Sequence, residues 1–416
     1  AKGGGVYCSG SSPTIEHCII IDNIADGKIS YTASGGGIFI DSDSGAIIDR
    51  CIITGNYAWG GDGKSNSMGY AEGGRTGYGG GMFCGARSSL FVNFCEVTNN
   101  QATGGEAGYS MIWDAKGGDA YGGGICIGSY AELIISNSKI TDNSITYGAG
   151  AGGSTGNDGE TQGGGIYCDQ ESVSSIENCL ITNNQVTGGN EICLPPNCFG
   201  GEAYGGGISF GEDISSIIGN CTVSNNILTV GNSTAQGAGI SNSQDSAVTV
   251  ENSIIWGNIG ADEIHGNLIV AYSDIGGNYP GSGNIDADPC FVIGTLGDYY
   301  LSQITAGQVS DSPCIDAGSD LAANLGMNIC TTRTDHISDA GIIDMGYHYG
   351  SCCLLQVNAA DINGQSGVDF IDYTILTSQW KQTPGIPSAD IAPPCGDDTV
   401  DEKDLALLVD SWLWGK

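Results

Sequence analysis

"GGGIYCDQESVSSIENCLITNN", Gly163 to Asn184, is the stretch that decides how this chain folds. The same line, lightly varied, occurs seven times. Its glycine triplet, or a near copy, begins at Gly3, Gly35, Gly79, Gly122, Gly163, Gly205 and Gly237. An asparagine follows the first glycine by 20 residues in the first unit, at Asn23, and by 21 in the others, at Asn56, Asn100, Asn143, Asn184, Asn226 and Asn258. A second fixed position holds Cys18, Cys51, Cys95, Ser138, Cys179, Cys221 and Ser253. The whole units are 32 to 44 residues long, and all of the variation falls between the asparagine and the next triplet.

A constant front and a variable back describe one coil of a solenoid with one extensible corner. Within the constant part, "GIYC" and "SIENCLIT" alternate apolar and polar residues and are rich in Ile, which reads as short strands. Coils stacked by parallel pairing rise about 4.8 Å per layer, so like residues lie over like residues. The glycines suit a sharp turn or a close backbone approach. The asparagines suit a hydrogen-bonded ladder at a bend. The small Cys and Ser residues suit a narrow interior, with the ladder cysteines read as buried small hydrophobes rather than disulfides or metal ligands.

Composition narrows the class. The 71 Gly are clustered rather than spaced every third residue, which excludes collagen, and a 40% apolar content is enough for a core. Twelve Lys and Arg against 47 Asp and Glu give a formal charge of −35, which repels nucleic acid and anionic membranes and attracts divalent cations. No stretch is long and apolar enough for a membrane span. The chain opens Ala1-Lys2-Gly3 with nothing like a signal, so export requires that a signal was removed or lies upstream.

Unit one, "GGGVYCSGSSPTIEHCIIIDNIA" from Gly3, resembles the right-handed parallel β-helix repeats of bacterial surface proteins, those related to polymorphic outer-membrane proteins and of planctomycete type. "ADPCFV", "GDYYLS", "DSPCIDAGSD" and "DAGIIDMGYHY", between Ala287 and Tyr349, are similar to the closing segment of secreted proteins of that kind. The resemblance implies a mainly β, right-handed parallel β-helix over residues 1–262, with last coils and a closing segment over 263–350. It is specific for fold and weak for function.

The variable inserts are rich in Gly, with Tyr70, Tyr78, Tyr109, Trp113, Tyr121 and Tyr204 scattered through them. All leave their coils at one corner and project from one side, as a tolerated rim or a sticky face. One carries "CLPPNC", whose spacing predicts a local disulfide between Cys193 and Cys198 and an oxidising compartment.

After a linker at 351–359 the composition changes. Val368, Asp369, Asp372, Leu376 and Trp380 recur as Val400, Asp401, Asp404, Leu408 and Trp412, and the spacing turns helical. In the first copy Asp361, Asn363, Gln365, Asp369 and Asp372 place oxygens at positions 1, 3, 5, 9 and 12 of a twelve-residue loop, with the Gly367 carbonyl at position 7, a pattern that wraps a Ca2+ ion. In the second, Asp390, Asp397, the Thr399 carbonyl, Asp401 and Asp404 serve, with three extra residues after Asp390. Ser366 and Asp398 stand where glycine is usual, and Asp369 and Asp401 also read as helix caps. Residues 360–416 resemble a dockerin-type duplicated calcium loop, which implies a small α-helical domain docking on a surface scaffold protein.

Catalytic signals are sparse. The repeats hold eight basic residues, Lys2, Lys28, Arg50, Lys64, Arg75, Arg87, Lys116 and Lys139, with no cluster recurring on neighbouring coils. His17, His265, His336 and His348 are far apart, with His17 read as a strand residue, and no Ser/His/Asp or zinc spacing is present. The expectation is a non-catalytic, secreted or cell-surface structural protein that associates with copies of itself, head to tail into fibres, through its ends, its loop face and its calcium-bound tail. The alternatives are a carbohydrate-binding or polysaccharide-degrading surface protein, acting as lyase or hydrolase, and an adhesin.

Overall fold

The computed structural model describes residues 1–110, 115–151, 157–189, 201–231, 233–243, 245–350, 370–382, 400, 405 and 408, with only the backbone of 370–372. One coil shows the plan. After Ala120–Tyr121 the chain passes through Ile125–Ile127, Glu132–Ser136, Lys139–Thr141 and Ser144–Thr146. We call the ladders built on the last four sheets 1 to 4, and the ladder on Ala120–Tyr121 sheet 5. Sheets 1 to 3 each stack eight strands, and sheets 4 and 5 six. Pairing between coils is parallel throughout, and Met82 over Ile125 over Ile166 shows the register. The fold is a mainly β parallel solenoid of seven coils, of which five carry all five strands. An eighth adds Ile264–His265, Ile269–Ala271 and Asp274–Ile275.

Alternation within each strand sorts the side chains. Ile48, Val92, Ile135, Ile176, Ile218 and Val250 form one inward column, and Ile53, Val97, Ile140, Ile181, Val223 and Ile255 another, all in one continuous core. Each buried side chain of this size contributes roughly 1.5–3 kcal/mol. β-Branched residues dominate because they pack well on a pleated surface.

Corners are set by left-handed residues. One precedes the Cys/Ser column, including Asn137, Asn178, Asn220 and Asn252 with φ between 48° and 51°. Another precedes the asparagine column, including Asn99, Asp142, Asn183 and Asn225 with φ between 54° and 57°. Short polar side chains tolerate this region best, which explains their recurrence just before each column. The glycine triplet is the third corner. Its first residue has φ near 62° at Gly122, and a Cβ on its second residue would lie 2.4 Å from the backbone of Gln101 at Gly80.

The asparagine column is a single hydrogen-bonded chain. The Oδ1 of Asn143 accepts the backbone N–H of Asn100 at 3.0 Å and its side-chain amide at 3.0 Å, and Asn143 Nδ2 donates to the Val97 carbonyl at 2.8 Å. The same pattern runs from Asn23 to Asn258. The Cys/Ser column works likewise: Cys51, Cys95, Cys179 and Cys221 are buried in the core as read, and their sulfurs also hydrogen-bond. Cys95 Sγ accepts the N–H of Cys51 at 3.3 Å, while the thiol donates back to the Asn93 carbonyl at 3.2 Å. Ser138 Oγ performs both roles for Cys95 and Ser136. The column is a polar ladder in which sulfur and oxygen interchange, and its cysteines are free thiols.

The inserts do not hang free. Outgoing and returning limbs of successive coils bond backbone to backbone: Gly105 N–H to Arg75 O at 2.8 Å, Gly118 to Gly105 at 2.8 Å, Gly148 to Gly118 at 2.8 Å and Gly159 to Gly148 at 2.9 Å. The limbs approach so closely that a Cβ on Gly117 would sit 1.7 Å from the Gly148 carbonyl oxygen. The glycine content is therefore a packing requirement, and the described inserts form a layered slab on one side of the solenoid. Tyr78, Tyr121 and Tyr204 belong to sheet 5 rather than to the inserts.

The closing segment folds back onto the outer face of sheet 3. Its hairpin pairs Phe291–Gly294 with Gly297–Leu301, and Cys330–Thr331 pairs with Tyr349–Gly350. Asn178, at a coil corner, accepts the His348 N–H at 2.8 Å and donates to the His348 carbonyl at 3.0 Å. Thr222 Oγ1 accepts the Tyr347 N–H, and Asn225 donates to the Tyr299 hydroxyl. Farther along the chain, Phe370–Ser378 is a nine-residue helix.

Candidate functional site

The outer row of sheet 1 decides the shape of one wall. In register it reads Tyr7, Phe39, Phe83, Cys126, Tyr167, Ser209, Ser241 and His265. The neighbouring outer row of sheet 5 reads Ser34, Tyr78, Tyr121, Gln162, Tyr204 and Gln236. Over the early coils both rows are aromatic, and the rings pack on one another. Tyr7 and Phe39 stack at 5.4 Å, Phe39 and Phe83 at 5.2 Å, Tyr78 and Tyr121 at 5.5 Å. Lys2 Nζ caps this column 4.8 Å above the Phe39 ring. What remains open there is a concavity of about 320 Å³.

Over the later coils the rings give way to Ser209 and Ser241, and the wall hollows into a cavity of about 690 Å³. Gln162, Tyr204 and Gln236 form one side, and the turn residues Glu212, Asp245 and Ser246 the other. His265 and Asn267 line it as well. Ser209 Oγ donates to Gln162 Oε1 at 3.1 Å, Gln162 Nε2 donates to Glu160, and the Tyr204 hydroxyl donates to Glu202. Burial pushes the Glu160 carboxyl above its ordinary range. Among the described residues, no Lys or Arg lines this cavity.

Seven of the eight basic residues of the repeats are ion-paired with carboxylates, among them Arg87 with Asp43 at 2.8 Å and Lys116 with Asp119 at 2.8 Å. His17 stands at a corner with φ 51° rather than in a strand. His348 is buried in the closing segment, where Nε2 meets Asp339 Oδ2 at 2.9 Å and Nδ1 meets the Gly346 carbonyl at 2.9 Å. Asp344 is held beside this pair by Thr332 and Gln303, and burial raises its carboxyl. This cluster braces the closing segment and faces no cavity described for this wall. Among the described residues, no three His, Cys, Asp or Glu side chains are grouped to hold a metal.

A second surface feature lies on sheet 3. Its outer row reads Ile19, Ile52, Glu96, Lys139, Leu180, Thr222, Ile254 and Asp274. The late members are covered by the closing segment. Among the described residues nothing covers Ile19, and the exposed Ile21, Ile24 and Trp59 widen the bare apolar area.

The expected calcium ligands Asp361, Asn363, Gln365, Gly367, Asp369, Asp390, Asp397, Thr399, Asp401 and Asp404 lie outside the described residues, as does the side chain of Asp372. So do Trp113 and the Cys193–Cys198 pair. Among the described residues, eleven cysteines besides Cys330 are free and no helix is long and apolar enough to cross a membrane. Sequence reasoning missed the cavity, because its walls come from columns whose outer residues follow no repeat. No family model, curated protein or solved structure matches this chain.

Proposed function

We propose that this chain is a non-catalytic, extracellular structural protein that associates with copies of itself along the outer face of sheet 3. The carrying observation is one ladder face in two states. Leu180, Thr222 and Ile254 are 4%, 1% and 0% exposed beneath the closing segment, whereas Ile19 and Ile21, on the same sheet, are 67% and 52% exposed. The fold covers this face with its own chain where that chain reaches, and a second copy continues the cover over the early coils. Bare apolar surface rimmed by polar residues favours association. The formal charge of −35 opposes it, so screening by salt or divalent cations promotes it.

The proposal includes a right-handed coil, the usual hand of parallel crossovers. It also includes a calcium-clamped, dockerin-like tail at 360–416 that engages a surface scaffold; the support is the duplicated oxygen spacing in the sequence. Sedimentation and electron microscopy with calcium, and then with chelator, test the reading. Association that weakens in the Ile19→Glu, Ile21→Glu double variant supports it. Dispersed monomers in both conditions at physiological salt overturn it.

A further inference from the structure

We propose that the cavity on the outer wall of the later coils binds an uncharged oligosaccharide laid along the solenoid axis. It is independent of the sheet 3 face and of self-association.

The wall is built in rungs. Tyr204 and Ser209 belong to one coil, Gln236 and Ser241 to the next, and His265 to the one after. Successive rungs are one strand spacing apart, about 4.8 Å. A ligand that fits must itself be extended and present similar groups at regular intervals. The volume of about 690 Å³ lies in the range of small-molecule sites and admits several linked rings.

The chemistry of the lining selects among extended ligands. Glu160, Glu212 and Asp245 stand around the cavity with no Lys or Arg among its described lining, so phosphorylated or uronic-acid chains are repelled. The floor of Ser209 and Ser241 and the flanking Gln162 and Gln236 offer hydroxyls and amides, which donate and accept. That suits a ligand whose groups also do both, as sugar hydroxyls do. Tyr204 adds a partly exposed ring for the apolar face of a sugar. A metal is not supported, since among the described residues no set of three acid, His or Cys side chains is grouped to hold one. A polyamine would satisfy the carboxylates but leave the serine and glutamine donors unmatched.

The early coils supply a built-in control. The positions equivalent to Ser209 and Ser241 hold Phe39 and Phe83, and there the wall is filled. Ser241→Phe therefore places in the cavity a side chain that this column already accommodates. Tyr204→Ala removes the ring without adding bulk.

Isothermal titration calorimetry of the whole chain with cellohexaose, mannohexaose and chitohexaose tests the proposal, with hexagalacturonate and spermidine as comparisons. The expected result is binding of at least one uncharged hexamer, weakened tenfold or more by Ser241→Phe and by Tyr204→Ala, with unchanged thermal melting in at least one variant. Three results overturn it: no uncharged hexamer binds at millimolar concentration, binding is unaffected in both variants, or only spermidine or hexagalacturonate binds. Self-association is read separately by sedimentation, so failure of one reading leaves the other standing.

Discussion

Glu263 stands where the next asparagine of the ladder would be: its carboxylate accepts the backbone N–H of Asn258 at 3.2 Å and the Asn258 side-chain amide at 2.5 Å. Six asparagine-to-asparagine rungs thus end on a residue that only accepts. The last two donors of the column are satisfied without a further asparagine.

Glu263→Ala leaves both donors of Asn258 without this partner. The expected loss is about 1–3 kcal/mol, since each orphaned, partly buried donor carries a desolvation penalty. Chemical denaturation measures it, with Glu212→Ala, an exposed carboxylate, as a variant expected to change stability by less than about 0.5 kcal/mol.

Within the ladder, Asn143→Ala strips the acceptor from Asn100 and the donor from Val97. A loss of roughly 2–4 kcal/mol is expected from several broken buried bonds. Asn143→Asp keeps the acceptor but cannot donate to the Val97 carbonyl, and places a charge at a fully buried position, so it destabilises at least as much at neutral pH. Equal stability of Asn143→Asp and wild type would contradict this account of the column.

The Cys/Ser ladder predicts asymmetric substitutions. Cys95→Ser keeps an acceptor for Cys51 N–H, as Ser138 does one coil on, and is expected to change stability by less than about 1 kcal/mol. Cys95→Ala orphans that N–H and costs about 1–3 kcal/mol. Alkylation of the native protein followed by peptide mapping should label Cys18, which is exposed, and spare Cys84 and Cys168, whose thiols burial pushes up to about 12.

Asp274 predicts a pH dependence. Burial raises its carboxyl from an ordinary 3.8 to about 6, where Cys314 Sγ and the Ala287 N–H face it, with Asp286 and Asp288 adding repulsion. A raised acid binds a proton in the folded state before the unfolded one does. Its contribution is fully present below about 3.8 and is lost as pH rises through about 6. Stability should therefore be greater at pH 5 than at pH 7.5 by roughly 1–2 kcal/mol from this group. Asp274→Asn should remove that part of the difference, read as melting temperature against pH.

Asn178 holds the closing segment by two bonds to the His348 backbone from a corner with φ 48°. Asn178→Gly keeps the corner and loses the bonds. Limited proteolysis should then cut residues 287–350 faster while the coils resist, whereas unchanged cleavage would show that the covering face holds without this contact.

The sequence alone determined the coil. A triplet, a Cys or Ser and an asparagine at constant spacing repeat the same backbone corners, and identical corners can only stack in register, which brought Asn56, Asn100 and Asn143 into one column. Tertiary structure alone decided what covers the stack, what ends it and where it is hollow. Asn178 and His348 are 170 residues apart, and Glu263 stands at the third glycine position of an eighth coil whose sequence has lost the triplet, so neither carries a periodic signal. The cavity depends on the size of outward side chains, which coil geometry leaves free, and on which columns become neighbours. Glycine in the inserts read as looseness in the sequence. In the fold it is the condition for limbs to touch backbone to backbone, because that contact leaves no room for a Cβ.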